Sequence, residues 1–202
     1  MRGPSPSPDA SLTLSVTLSR SGERENENRY AKVSMPQKNN RSAYPAFYYI
    51  VFFVAMLATS VALGGALAHA FELPNKIDLP RDEYFIVQKI YSGWNQLAYV
   101  LLVQLVSMIA LAVLSRRAAY VLWPVVVAIL SLLSAQAVFW LYTYPANAAT
   151  DNWTVIPDNW ETLRKQWEYS HALGAAFQLL AMSALILAAM AHSRGEMTEG
   201  KP

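Results

Sequence analysis

Four long apolar runs, separated by links rich in proline, charge or amide side chains, set the plan of this 202-residue chain. The first runs from about Ala46 to Phe71 and is closed by Pro74 and Pro80. A crossing of the ~30 Å hydrocarbon layer needs about 20 apolar residues, and this run is long enough. Asp82 and Glu83 then stand where acidic residues favour a helix start. The helix expected from them begins amphipathic, with Tyr84, Phe85, Val87 and Ile90, and runs on as a second span to Leu114 (90–114), ended by Ser115-Arg116-Arg117. A third span is expected from Ala118 to Tyr144 (118–144); Pro124 is tolerable near its start, and Pro145 closes it. The fourth, from Trp167 to Ala191 (167–191), follows Asn159 to His171 without a helix breaker. The pattern predicts an all-α fold, an integral membrane four-helix bundle with up-down-up-down order, over residues 43–194, with residues 195–202 as a C-terminal tail.

Residues 1–42 break the pattern. They are rich in Ser, Pro, Asn and charge and have no helical period, so they are expected to form a disordered N-terminal tail. Met35, just ahead of Pro36 to Arg41, reads as an alternative translation start. Composition agrees with a membrane protein: 54% of residues are hydrophobic and 15% charged. The lipid bilayer is thus the expected partner. The net charge is +2, but the tail holds seven Lys/Arg against four Asp/Glu, leaving nine against ten elsewhere, so no basic face points to nucleic acid. The absence of cysteine excludes disulfides, thiolate nucleophiles, Cys-ligated zinc and Cys-ligated iron–sulfur clusters. Lys38, Arg41, Arg116, Arg117, Arg194 and Lys201 fall on one side of the four spans, which predicts cytoplasmic N- and C-termini. Asn152-Trp153-Thr154 has the form of a glycosylation sequon, a signal that means something only in a eukaryotic secretory context.

Most intramembrane polar residues gather toward the opposite, non-cytoplasmic end: His69 and Glu72 in the first span, Asn95 and Gln96 in the second, Gln136, Trp140, Tyr142 and Tyr144 in the third, Glu168 and His171 in the fourth. A bundle brings them to a common depth, and ionisable groups in lipid normally face its interior and find partners. Within this layer lie His69-Ala70-Phe71-Glu72 and Glu168-Tyr169-Ser170-His171, and residues three apart share a helix face. Each motif therefore presents an imidazole beside a carboxylate. Trp160, Arg164, Trp167, His171, Gly174 and Gln178 fall on one stripe of the fourth helix, with Glu168 next to it.

Several chemistries use this pairing. An imidazole with a carboxylate serves as a general base or as ligands to a mononuclear metal, and His69 with His171 would be the ligands to a metal or an axial pair on a haem. Two carboxylates are too few for the di-iron bundle pattern. The same residues also serve as an interhelical lock, with Glu72 on His171 or Arg164 on a carboxylate. The tryptophans at this end, Trp94, Trp140, Trp153 and Trp160, read mainly as an interfacial belt, while His192 at the other end reads as a solvated terminus.

Gly64-Gly65 leading to Glu72-Leu73-Pro74, Asn95 in the second span, and Asn159-Trp160 followed by Leu163-Arg164, Trp167-Glu168 and His171-Ala172 give the chain a further character. From about Ala46 to Ala191 it resembles the anthrone oxygenase-like family of small four-span membrane proteins, many members of which have no assigned function. The resemblance implies oxidation of an activated phenolic carbon by molecular oxygen. It implies a base, His171, oriented by Glu168 or Glu72, with His69 alongside. Trp167, Trp140 and Phe71 would line the pocket for a small apolar ligand, and Asn95, Arg164, Trp160 and Gln136 would be further contacts. No cofactor is required for that chemistry, since electron-rich carbanions react with oxygen directly.

Overall fold

The computed structural model describes residues 46–199, with side chains through Gly195; the expected tail and the Met35 start lie outside the described residues. Among the described residues the fold is all-helical. The elements are α1 (Ala46–Lys76), α2 (Arg81–Gln88), two 3-10 turns (Lys89–Tyr91 and Trp94–Gln96), α3 (Leu97–Leu114), α4 (Ala119–Val138), a π turn (Phe139–Thr143), α5 (Tyr144–Ala149) and α6 (Trp160–Glu199). Four helical stretches are long and apolar enough to cross a membrane: Ala46–Lys76, Trp94–Leu114, Ala119–Ala149 and Trp160–Gly195. Each packs on its chain neighbour and α6 closes the ring against α1, giving the expected up-down-up-down bundle.

Three boundaries differ from expectation. Pro74 does not end α1, which continues through it to Lys76. Pro74 has no N–H to offer the Ala70 carbonyl, yet the helix runs on past it, and the added turn carries Lys76 inward. The helix expected to run unbroken from Asp82 into the second span is interrupted at Ser92-Gly93. Gly93 sits at φ +88°, a left-handed conformation that glycine adopts without strain. Pro145 does not close the third span, because the preceding residues widen into the π turn, where the Tyr144 amide bonds the Phe139 carbonyl. That wider turn accommodates the proline ring, and the helix continues to Ala149.

Helix length decides what fills the polar end. α1 has 31 residues and α6 has 40, but α3 has only 18. At ~1.5 Å per residue α3 barely crosses a ~30 Å layer, whereas α1 and α6 overshoot it. The tight link from Ser115 to Ala118 fixes the other end of α3, so the shortfall falls at the polar end. There α2 and the 3-10 turns fill the gap, and the core divides in two. Tyr48, Phe52, Met108, Leu111, Val121, Val125, Leu132 and Leu185 pack with alanines toward the Arg116-Arg117 end. Tyr84, Phe85, Ala146, Trp153, Leu163 and Trp167 form a separate aromatic core at the polar end.

His192 is buried rather than solvated. Its ring packs on Tyr48 and Tyr49, with centroids 4.8 and 5.8 Å away.

Candidate functional site

The two histidines of the paired motifs meet. His69 of α1 and His171 of α6 place their ring centroids 4.1 Å apart. Trp167 lies on His171 at 4.0 Å and on His69 at 5.1 Å, and Tyr91 and Trp94 pack against His69 at 4.4 and 5.2 Å. His171 Nδ1 lies 3.0 Å from the Trp167 carbonyl oxygen. A carbonyl only accepts, so Nδ1 carries the hydrogen and Nε2 of the neutral ring is left as the base. Trp167 is fixed in turn, since its indole N–H donates to Asn147 Oδ1 at 2.8 Å.

The carboxylates of the same motifs are joined by a residue that sequence reasoning assigned to a polar link. Lys76, 3% exposed, sets its ammonium 3.1 Å from Oε1 of the fully buried Glu168 and 3.7 Å from Glu72 Oε2. It also donates to the Tyr91 hydroxyl at 2.8 Å, and Tyr91 donates to Glu72. Tyr84 donates to Glu168 Oε1 at 2.9 Å and accepts from Gln88. Burial, then Glu168, pushes the Tyr84 hydroxyl well above its ordinary titration range. Burial, then the bond to Glu72, does the same for Tyr91. Both phenols are therefore protonated donors at neutral pH.

The signal for Lys76 was present but local. It stands four residues after Glu72 and seven after His69, on their helix face, but a helix expected to stop at Phe71 gives Lys76 no face. Tyr84 and Tyr91 lie on the segment that fills the shortfall of α3, whose amphipathic pattern shows an apolar face but not what that face packs against.

Arg164 is buried too, but it pairs with neither carboxylate. Its Nη1 donates to the Leu79 carbonyl at 2.7 Å, and its guanidinium stacks on Trp160 at 4.7 Å and Tyr84 at 5.3 Å. The expected Glu72–His171 and Arg164–carboxylate locks are thus replaced by one centred on Lys76. Trp153 and Trp167 are buried, so an interfacial belt describes only the outward rings such as Trp140, 58% exposed. Trp153 is driven inward by a turn in which Asp151, Asn152 and Trp153 all have positive φ (46°, 53° and 67°). Each such residue costs roughly 1 kcal/mol or more. The Trp153 amide bonds Thr150 Oγ1 and its indole N–H donates to Asn147 Oδ1, which offsets part of that cost.

Other expected contacts lie apart from the histidine pair. Asn95 is exposed on a 3-10 turn and Phe71 is 73% exposed. Trp140 packs on Phe139 and Tyr144. Gln136 lines an apolar groove of about 190 Å³ between α3 and α4, with Leu101, Leu105 and Leu132 among its walls. Trp160 belongs to the aromatic core above the site.

No family profile, curated protein or solved structure matches the chain. What the site can do rests on its own side chains. His69 and His171 touch ring to ring, so they do not fit as an axial pair on opposite faces of a haem. Among the described residues no three His, Asp or Glu side chains converge as metal ligands. What they do form is a pair of imidazoles, one with its tautomer fixed, packed among aromatic rings near a buried charged layer.

Proposed function

We propose that this integral membrane protein is an oxidoreductase of the anthrone oxygenase type, acting on a small apolar aromatic molecule at the non-cytoplasmic end of the bundle. One observation carries the reading: His171 Nδ1 is held by the Trp167 carbonyl, which leaves Nε2 as the proton acceptor of a ring packed against Trp167 and His69. That is the side-chain equipment for removing a proton from a carbon acidified by a neighbouring carbonyl and phenolic rings. The carbanion formed adds molecular oxygen, its hydroperoxide loses water, and the CH2 carbon becomes a carbonyl. One O2 is consumed and one H2O released. Trp167 and Tyr91 supply apolar faces for a flat substrate. Gly174, one turn from His171, supports access from lipid, because a side chain built there would meet nothing within 4 Å. Arg116, Arg117 and Arg194 at the opposite end set the sidedness.

The test is oxygen consumption by purified protein in nanodiscs with anthrone-type substrates. His171→Ala should lose roughly a hundredfold or more of the rate, with thermal stability measured in parallel. Equal rates in wild type and variant would remove His171 as the base. A second reading, a noncatalytic membrane subunit, draws on the Lys76–Glu168 pair, which also locks α1 to α6. It expects no oxygen uptake with any such substrate and a loss of stability alone.

A further inference from the structure

Glu168, Lys76, Tyr91 and Glu72 form an unbroken polar chain. Lys76 Nζ is 3.1 Å from Glu168 Oε1 and 2.8 Å from the Tyr91 hydroxyl, which donates to Glu72. Exposure rises along it, from 0% for the Glu168 side chain and 4% for that of Lys76 to 36% for that of Glu72. The donors also point one way, from lysine to phenol to carboxylate. A lock between α1 and α6 needs only Lys76 and Glu168 and gives no reason for Tyr91 and Glu72 to extend the chain to the surface. Tyr91 ties the chain to the site, because its ring packs on His69 and Trp167 while its hydroxyl sits in the charged layer. Four buried side-chain atoms at this end have no hydrogen-bond partner: Glu168 Oε2, Gln88 Oε1 and Arg164 Nε around the charged layer and His69 Nδ1 in the histidine layer. Buried polar atoms of this kind call for a partner such as an exchanging water.

We infer that Glu168, Lys76, Tyr91 and Glu72 are a proton relay that connects the histidine pair to the aqueous surface at the polar end. A proton arriving on Glu168 passes to Lys76 as Lys76 gives one to Tyr91 and Tyr91 gives one to Glu72, which releases it to solvent. Lys76 and Tyr91 end as they began, and the net transfer is one proton. The remaining step, between the histidine pair and Glu168, calls for water between the unpartnered His69 Nδ1 and Glu168 Oε2. The titratable and charged groups facing this path are His69, Glu72 and Lys76 from α1, Tyr84 from α2, Tyr91 from the 3-10 turn, and Arg164, Glu168 and His171 from α6. The proposed oxidation returns to its peroxide the proton that His171 takes, so no net proton leaves; the relay rests on that oxidation in letting this proton exchange with solvent between the two steps, and its test uses no substrate.

A protonated imidazole quenches an indole in contact with it, and the His171 and Trp167 rings are 4.0 Å apart. Stopped-flow acidification of detergent-purified protein, with Trp167→Phe as the blank, therefore times the arrival of protons at His171. Tyr91→Phe and Glu72→Gln should each slow that quenching roughly tenfold or more, and added acetate, a small proton carrier, should restore the rate. Tyr99→Phe, at a position 75% exposed and outside the chain, should match wild type. Thermal unfolding identifies any variant that fails to fold; Glu72→Gln, at the more exposed end, is the safer of the two. Unchanged quenching rates in both variants, slowing that acetate does not rescue, or no quenching in folded wild type would each overturn the relay. Intact relay behaviour in a protein that consumes no oxygen would support the relay and sink only the oxidation.

Discussion

The two ends of the bundle solve the same problem, keeping four helices together in lipid, with opposite materials. Toward Arg116-Arg117 the core is mostly alanine, valine and leucine, and three of its buried hydroxyls satisfy themselves on their own helices: Thr59 on Ala55, Ser107 on Val103 and Ser131 on Val127, at 2.7, 2.7 and 2.8 Å, while the Tyr48 hydroxyl crosses to Ser115 at 3.2 Å. Small side chains let the helices approach closely, which is how association proceeds without a hydrophobic drive between them. The polar end joins helices through charge and aromatic rings: Lys76 to Glu168 across α1 and α6, Tyr84 and Tyr91 onto both, Trp167 onto Asn147. Packing glue alone would not call for a buried ammonium, because an ion pair taken out of water costs about as much as it returns. A polar end more expensive than the core beneath it is where function is to be sought.

The largest effect should come from splitting the buried pair. Lys76→Met leaves Glu168 an uncompensated buried charge and should cost about 3–5 kcal/mol in unfolding measured in detergent, while Lys76→Met with Glu168→Leu should recover most of it. Arg81→Met sets the scale, since the Arg81–Asp82 pair has side chains 55% and 76% exposed and should contribute less than about 1 kcal/mol. If Lys76→Met were no worse than Arg81→Met, the contrast between the two ends would collapse.

A smaller effect marks the border between the regions. Gln104 and Gln178, both buried, bond at 3.0 Å across α3 and α6, two turns from His171. Gln104→Leu alone should cost about 0.6 kcal/mol and no more than ~1.7, and leucine at both positions should restore stability. A double variant that stayed as unstable as the single would show that the amides do more than pair.

The smallest effect is a titration. Tyr84 and Tyr91 hold their protons more tightly folded than unfolded, so the stability they contribute is fully present below about pH 10 and is lost as pH rises above it. The difference in tyrosinate absorbance between wild type and Tyr84→Phe should stay flat through the ordinary tyrosine range and appear only with unfolding. A difference that developed near pH 10 in folded protein would place Tyr84 in water rather than against Glu168.

The sequence by itself determined the four crossings, their order and the shared depth of His69 and His171, because apolar length and residue depth are properties of each helix read separately. Glu72 and Glu168 reached one layer for the same reason. It did not determine their partners. Lys76 looked like a link residue because Pro74 looked like a stop, and only the packed structure shows α1 continuing and folding that ammonium between two carboxylates. Tyr84, Tyr91 and Trp153 come from short segments whose own pattern does not say what they pack against. Their positions follow from α3 being shorter than its neighbours and from a strained turn held by Asn147 and Thr150. Asn95, Gln136 and Trp140 have the depth of the site but not its azimuth. Depth is written into a helix one residue at a time, whereas the face that meets a neighbour is chosen only when the bundle closes.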